Sequence, residues 1–348
     1  MLANNCHKNQ NDRYGEDVAP TIANMFQASR ELDRVEASLL ESLKAEDPYL
    51  TELATHLAKA GGKRQRPLIA IASGSCGLIP DGNGEVPPVS DDIVMGGVSG
   101  ELVHLGSLYH DDVMDEAVTR RGVESVNSRW GNLRAILAGD FLLAKASEIA
   151  ASLGTEVAGL LAATIGKLCE GQVRELQTAF DVGRTEDQYL ASIAGKTASL
   201  FSSACRIGAI VGELPRDQVE VLTTFGHNYG MAFQIVDDIL DLVATDKQLG
   251  KPAGNDLAEG IYTLPTLIAL KSETEGSQLA SLLGNPIDRD EVGVARKLVR
   301  ASPGIQYAKG LVRGYCDESI SAISSLGPGP STEYLKSLAT GLLDAIPA

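Results

Sequence analysis

The chain has 348 residues, is 44% hydrophobic and carries a formal net charge of −16. A chain this long can bury a generous core, and it has no apolar run long enough to cross a bilayer, so a soluble rather than a membrane-spanning protein is expected. The acidic balance argues against general nucleic-acid binding, which needs a basic face to displace counterions from phosphates.

The first stretch, "MLANNCHKNQNDRYGED", lacks the basic-then-apolar pattern of a secretory signal and is too polar to pack. Residues 1–20 are therefore read as a mobile tail. Leu32, Val35, Leu39 and Leu43 then recur at helical spacing. "GGKRQRP", Gly61 to Pro67, stands out against the acidic background as a cation site for a small anionic ligand would. "DGNGEVPPVSDD" resembles a calcium loop, but Val86 falls where a glycine is needed and Pro87-Pro88 would break the geometry, so it is a connector.

"YHDDVMDEAVTRRG" follows, from Tyr109 to Gly122. On a helix, Asp111 and Asp115 lie on one face a turn apart with Asp112 on the flank, so three carboxylates should converge. Like charges at this spacing cost an isolated helix roughly 0.2–0.5 kcal/mol per pair, so something positive is expected there. His110 beside them is read as a structural hydrogen-bonding partner and not as a metal ligand.

Further on, Val219, Leu222 and Phe225, then Phe233, Val236 and Leu240, keep helical spacing, and glycine- and proline-rich loops punctuate the remainder. No fixed repeat, interdomain linker or run of alternating β-branched residues is present. One all-α domain over residues 21–348 is the expected architecture. The five cysteines (Cys6, Cys76, Cys169, Cys205, Cys316) form no CxxC pair and are odd in number, which favours reduced, buried thiols in a cytoplasmic protein.

"QIVDDILD" repeats the acidic spacing with Asp237, Asp238 and Asp241 in a strongly apolar helix. Two such clusters repel unless they share cations, and carboxylates without His or Cys ligands suit a hard ion such as Mg²⁺, brought with a polyphosphate.

Taken in order, "GGKRQRP", "DDVMD" with "RRG", "GKTASLF" (195–201), "QIVDDILD" and "GKPAGNDLAEG" (250–260) resemble the trans-isoprenyl diphosphate synthases, over about residues 40 to 265. The resemblance implies the all-α isoprenoid synthase bundle around a deep central cavity, with the two aspartate motifs facing each other across its mouth. It also implies a prenyltransferase that condenses isopentenyl diphosphate with an allylic diphosphate, head to tail and all-trans. By that resemblance Asp111, Asp112, Asp115, Asp237, Asp238 and Asp241 hold three Mg²⁺ ions, and Lys196 joins the first five of these as a catalytic group. Lys63, Arg66, His104 and Arg121 bind isopentenyl diphosphate; Arg120, Lys196, Thr197, Gln234 and Lys251 bind the allylic diphosphate. A homodimer and a peripheral membrane contact for product release are also implied.

Where the family commonly reads "EGKxTLP", this chain reads "EGIYTLP". Ile261 thus replaces a diphosphate-binding lysine, and Tyr262 is the neutral donor expected to compensate in part. Gly106 and Ser107, about a turn before Asp111, lack the aromatic floor of short-chain members, which implies a long product of roughly thirty to fifty carbons suited to a quinone side chain; the alternative use of small residues there is close helix packing. The competing readings are a fifteen- or twenty-carbon synthase with its floor on the helix at 139–146, a terpene cyclase, and a noncatalytic subunit of a heteromeric synthase.

Overall fold

The structure, a computed structural model, describes residues 26–84, 86–246 and 252–347; the expected tail over residues 1–20, Cys6 and Lys251 lie outside them. Apolar residues at helical spacing form α1 (Ala28–Ser42), which buries Val35 and Leu39. α2 (Pro48–Lys59) starts where the Asp47 carboxylate accepts a hydrogen bond from the Tyr49 N–H at 2.8 Å. Pro48 at its first position gives up only an N–H that the helix would leave unpaired. α3 (Gln65–Gly74) and α4 (Asp91–Met114) follow, the latter capped by Ser90 and ending on the first acidic motif.

The chain then forms the only strands among the described residues. Thr119–Arg120 and Val123–Glu124 pair as a two-stranded antiparallel hairpin, β1 and β2, in the register Thr119↔Glu124. Its turn is Arg121-Gly122, both with positive φ, 54° and 77°, as a two-residue turn matching the strand twist requires. Beyond it come α5 (Val126–Trp130), α6 (Asn132–Ser152), α7 (Thr155–Gln177), α8 (Glu186–Ile193), a π-helical turn at Ala194–Ala198, α9 (Ser199–Val211) and α10 (Arg216–Val243). The remainder is α11 (Asn255–Ala258), α12 (Leu264–Leu270), α13 (Gly276–Leu282), α14 (Arg289–Ala301), α15 (Gly304–Ala322) and α16 (Pro330–Asp344).

These elements form two compact units, each assembled from separated stretches. The first takes the chain up to Ile165, Leu200–Gly226 and Ile323–Ser337; the second takes Gly166–Ser199, His227–Ala322 and the stretch from Leu338. In the first unit α4 packs chiefly on α6 and α3. The crossing with α6 is close because glycines line it: a Cβ on Gly139 would lie 2.4 Å from the His110 ring. Tyr109, fully buried, ties α4 to α2 by donating to the Leu53 carbonyl at 2.7 Å. In the second unit α12 packs on α15 at Gly304, where a Cβ would come within 2.1 Å of the Pro265 carbonyl.

No described helix is long and apolar enough to cross a membrane. Cys76, Cys169, Cys205 and Cys316 are free; Cys205 and Cys316 are buried as expected, but Cys169 is exposed.

Candidate active site

In the first unit the "GGKRQRP" turn builds a cationic group. Gly61, Gly62 and Arg64 all have positive φ, and a Cβ on Gly62 would stand 2.9 Å from the Arg64 guanidinium and 3.0 Å from that of Arg121. The double glycine is thus the clearance that lets two guanidiniums crowd one turn. Arg64 is fully buried and donates to Glu36 at 2.7 Å, Glu101 at 2.9 Å and the Ala58 carbonyl at 2.8 Å. It holds the loop, a role that the motif's spelling does not distinguish from those of Lys63 and Arg66. Those two are exposed and half-buried respectively. Arg121 donates from the hairpin turn to the carbonyls of Gly61 and Leu57, so α2, the loop and the hairpin converge.

His104 lies half-buried on α4 in this cluster. Burial, then the field of Arg66, Arg121, Arg64 and Arg120, drives its imidazole well below the ordinary histidine value. It is therefore a neutral hydrogen-bonding group at pH 7 among cations.

The first acidic motif ends α4. The Asp115 N–H donates to the Asp111 carbonyl at 2.8 Å, so these two residues stand a helical turn apart as expected. Asp111 is half-buried and Asp115 exposed. Asp112 corrects the expected convergence: it turns inward, 1% exposed, and its Oδ1 accepts from Arg120 at 2.6 Å. The partner predicted for the acids is thus, for this one, an arginine from the hairpin. Burial raises the Asp112 carboxyl above its usual range and Arg120 opposes that rise. Arg120, expected on the allylic diphosphate, here serves Asp112. His110 takes the structural part expected of it, with Nε2 at 3.2 Å from the Ile136 carbonyl.

Gly106 is closely packed. A Cβ there would lie 3.1 Å from the Gly139 carbonyl and 3.2 Å from Leu143, so close packing on α6, the alternative use of a small residue there, accounts for the glycine. Ser107 is half-buried, its hydroxyl donating to the His104 carbonyl at 2.9 Å.

In the second unit the π-helical turn presents Lys196 and Thr197. It can lie against α7 because Gly171 faces it: a Cβ on Gly171 would be 2.4 Å from the Lys196 nitrogen. Such turns open a helix to aim side chains. Lys196 pairs with Glu175, and the Thr197 hydroxyl donates to Gln234 Oε1 at 2.6 Å. Gln234 in turn donates to Asp238 Oδ1 at 2.8 Å, and the Tyr189 hydroxyl donates to Asp238 Oδ2 at 2.5 Å. Burial, with Asp237 and Glu175 adding to it against these two donors, pushes the Asp238 carboxyl up to about 7. Asp237 is exposed. Asp241 is buried and faces the N-terminus of α11, 3.4 Å from the Asn255 N–H and 3.3 Å from that of Asp256.

Tyr262 does not stand in for a lysine at 261. It is fully buried, and its hydroxyl accepts from the Gly284 N–H at 2.6 Å, while its carbonyl accepts from Arg184 at 3.1 Å. Arg184, 3% exposed, packs its guanidinium 5.6 Å from the Tyr189 ring centre. Tyr189, Arg184, Glu175 and Gly171 were not foreseen, although "EGQVRELQ" and "RTEDQY" contain them.

Among the described residues, no group of three or more His, Cys, Asp or Glu side chains is placed to hold a metal ion by itself. The donor chemistry nevertheless fits a hard cation that arrives with other oxygen ligands: Asp111, Asp115 and Asp237 offer oxygen only, and all three are at least partly accessible.

An all-α protein with a guanidinium cluster around a neutral histidine, and with two aspartate motifs set on helices, defines a class of enzyme that handles small polyanions. Comparison makes the class particular. The polyprenyl synthetase family matches residues 47–301, and the chain belongs to that family. It is 40% identical to the nonaprenyl diphosphate synthase of Mycobacterium tuberculosis, over 88% of this chain and 89% of that protein. To heptaprenyl diphosphate synthase component 2 of Geobacillus stearothermophilus it is 35% identical, over 89% and 94%. The fold matches a polyprenyl synthase of Caulobacter crescentus, complexed with calcium and isoprenyl diphosphate, with a TM-score of 0.85 at 29% identity, over 93% and 97% of the two chains. The protein is a trans-prenyltransferase that makes polyprenyl diphosphates.

Proposed function

We propose that the chain extends an allylic diphosphate with isopentenyl diphosphate to a product of roughly thirty to fifty carbons, of the kind that forms a quinone side chain. The observation that carries the reading is the cluster of Arg66, Arg120 and Arg121 about a histidine held neutral, in a chain of net charge −16. Lys63, Arg66, His104 and Arg121 take the diphosphate of isopentenyl diphosphate, guanidiniums gripping phosphate oxygens and the imidazole accepting or donating without competing for charge. Lys196, Thr197 and Gln234 take the allylic diphosphate, and Lys196 stabilises the negative charge that grows on it as the carbon–oxygen bond breaks. Lys251 keeps the same role as a proposal.

Asp111, Asp115 and Asp237 would hold Mg²⁺, with Asp112, Asp238 and Asp241 completing the motifs once their present partners yield. When bound, the ion neutralises developing charge on the leaving diphosphate. Three ions are proposed. Ser107, a turn before Asp111, lines the path of the growing chain, and Leu143 packs beside the neighbouring Gly106. Ser107→Phe should then shorten the product.

We also propose a cytoplasmic homodimer that meets a membrane surface only to release its product. α6 exposes Leu133, Ile136 and Leu137 by 70, 41 and 56%, spaced i, i+3, i+4, a stripe that a second copy would cover. A two-component synthase is the second reading, favoured by the likeness to a protein named as component 2 of such an enzyme. Incubating the pure chain with radiolabelled isopentenyl diphosphate, farnesyl diphosphate and Mg²⁺ tests both. Long-chain product without a partner supports the first reading; product only on adding a second polypeptide supports the other.

A further inference from the structure

The guanidiniums around His104 are not held alike. Arg64 makes five hydrogen bonds, to Glu36 twice, to Glu101 and to the carbonyls of Ala58 and Gly61. Its charge is answered by carboxylates where it stands. Arg120 is answered by Asp112 and Arg121 is hooked by backbone carbonyls. Arg66 meets an aromatic ring as well. Its guanidinium carbon lies 4.5 Å from the ring centre of Phe201, which is fully buried on α9 within the same unit. A ring face attracts a cation through its quadrupole but brings no negative charge, so this contact orients the guanidinium without cancelling it. A flat apolar wall also limits the guanidinium to one plane, which saves rotamer freedom that an anion would otherwise have to remove.

We propose that Phe201 is a positioning residue for isopentenyl diphosphate: its buried ring is the platform that holds the Arg66 guanidinium ready for the substrate's diphosphate. The inference rests on the assignment of Arg66 to that diphosphate. Its consequence is specific to one substrate, since a residue that merely fills the core would change stability, or turnover, without choosing between the two diphosphates.

The test is steady-state kinetics with each substrate varied in turn. Phe201→Leu should raise the KM for isopentenyl diphosphate by roughly three- to tenfold, the range a partly desolvated cation–π contact supports. kcat and the KM for the allylic substrate should stay within about twofold, because the platform touches neither. Phe201→Tyr, which keeps a ring face, should restore the wild-type KM. The double variant Arg66→Ala/Phe201→Leu should be no worse than Arg66→Ala alone, since a platform with nothing on it has no further effect. If Phe201→Leu does not fold, shown by loss of its thermal transition, Phe201→Met fills a similar volume and takes its place in every arm. An unchanged isopentenyl diphosphate KM in the folded variant, equal loss for both substrates, or multiplied effects in the double variant would overturn the proposal while leaving the role of Arg66 intact. Should Arg66→Ala itself leave that KM unchanged, the assignment of Arg66 fails and Phe201 falls with it.

Discussion

Asp112 and Asp238 occupy the same place in two motifs of identical spacing and are both buried, 1 and 4% exposed, yet they are balanced by different kinds of partner. Asp112, at the end of α4, is met by the Arg120 guanidinium from the hairpin. Asp238, in the body of α10, is met by a phenol and an amide, both uncharged, and its carboxyl is pushed up to about 7. A pattern of acids in a sequence thus fixes where carboxylates stand but not what balances them. Full ionisation of a buried acid needs a full charge beside it, and neutral donors recover only part of the desolvation cost.

The outer aspartates should break the comparison first, because there the two motifs ought to behave alike. Asp111→Ala and Asp237→Ala should each lower turnover by about a thousandfold or more, since each removes an accessible carboxylate proposed to hold the charge-neutralising ion. Circular dichroism should show the helices intact. Near-wild-type rates in either variant would remove that motif from the chemistry.

The acidic and basic motifs were legible because their spacing is a property of the helix itself, as Asp111 and Asp115 show. The partners were not. Asp112 meets Arg120 only because Arg121-Gly122 makes a two-residue turn, and a hairpin with two-residue strands leaves no alternating pattern to read. Tyr189 reaches Asp238 across 49 positions of sequence, which no local periodicity records. Within "KRQR" the roles of Arg64 and Arg66 are set by the φ of 47° at Arg64, which turns that side chain inward to Glu36 and Glu101. Gly106 left two readings open for a similar reason: the Gly139 carbonyl opposite it lies on another helix.

The two proposed diphosphate sites give the next effect. Lys63→Ala and Arg66→Ala should raise the KM for isopentenyl diphosphate by roughly tenfold or more, the worth of a charge-assisted hydrogen bond, with little change for the allylic substrate. Lys196→Ala should instead lower kcat or raise the allylic KM. The opposite pattern would exchange the roles of the two units' cations.

The inner aspartates sharpen the contrast through stability. Asp112→Asn strands the half-exposed Arg120 and should destabilise the fold by about 1–2 kcal/mol, well short of the cost for a fully buried pair. Asp238→Asn replaces an acid that is already close to half neutral at pH 7 and keeps groups able to bond Tyr189 and Gln234, so urea unfolding at pH 7 should show little loss. Equal losses in both variants would mean that the charge state does not distinguish the motifs.

His104 gives the smallest effect and one with a definite sign. Burial and the arginines hold its folded-state value well below the unfolded one of about 6.5. Below about pH 6.5 the unfolded chain therefore binds a proton that the folded chain refuses. Stability from this group is complete above that pH and declines as the pH falls, levelling off only beneath the folded-state value. The carboxylates of the chain add acid losses of their own, so the useful quantity is a difference between variants. His104→Gln keeps a neutral hydrogen-bonding side chain among Arg64, Arg66, Arg120 and Arg121 but cannot titrate. Its urea midpoint should fall less than that of the wild type between pH 7.5 and pH 5, and the isopentenyl diphosphate KM should show no step near 6.5 in either protein. Parallel midpoints across that range would show that His104 is not held neutral by its arginines, and the contrast between a charged first site and a neutral-buffered second would lose its histidine.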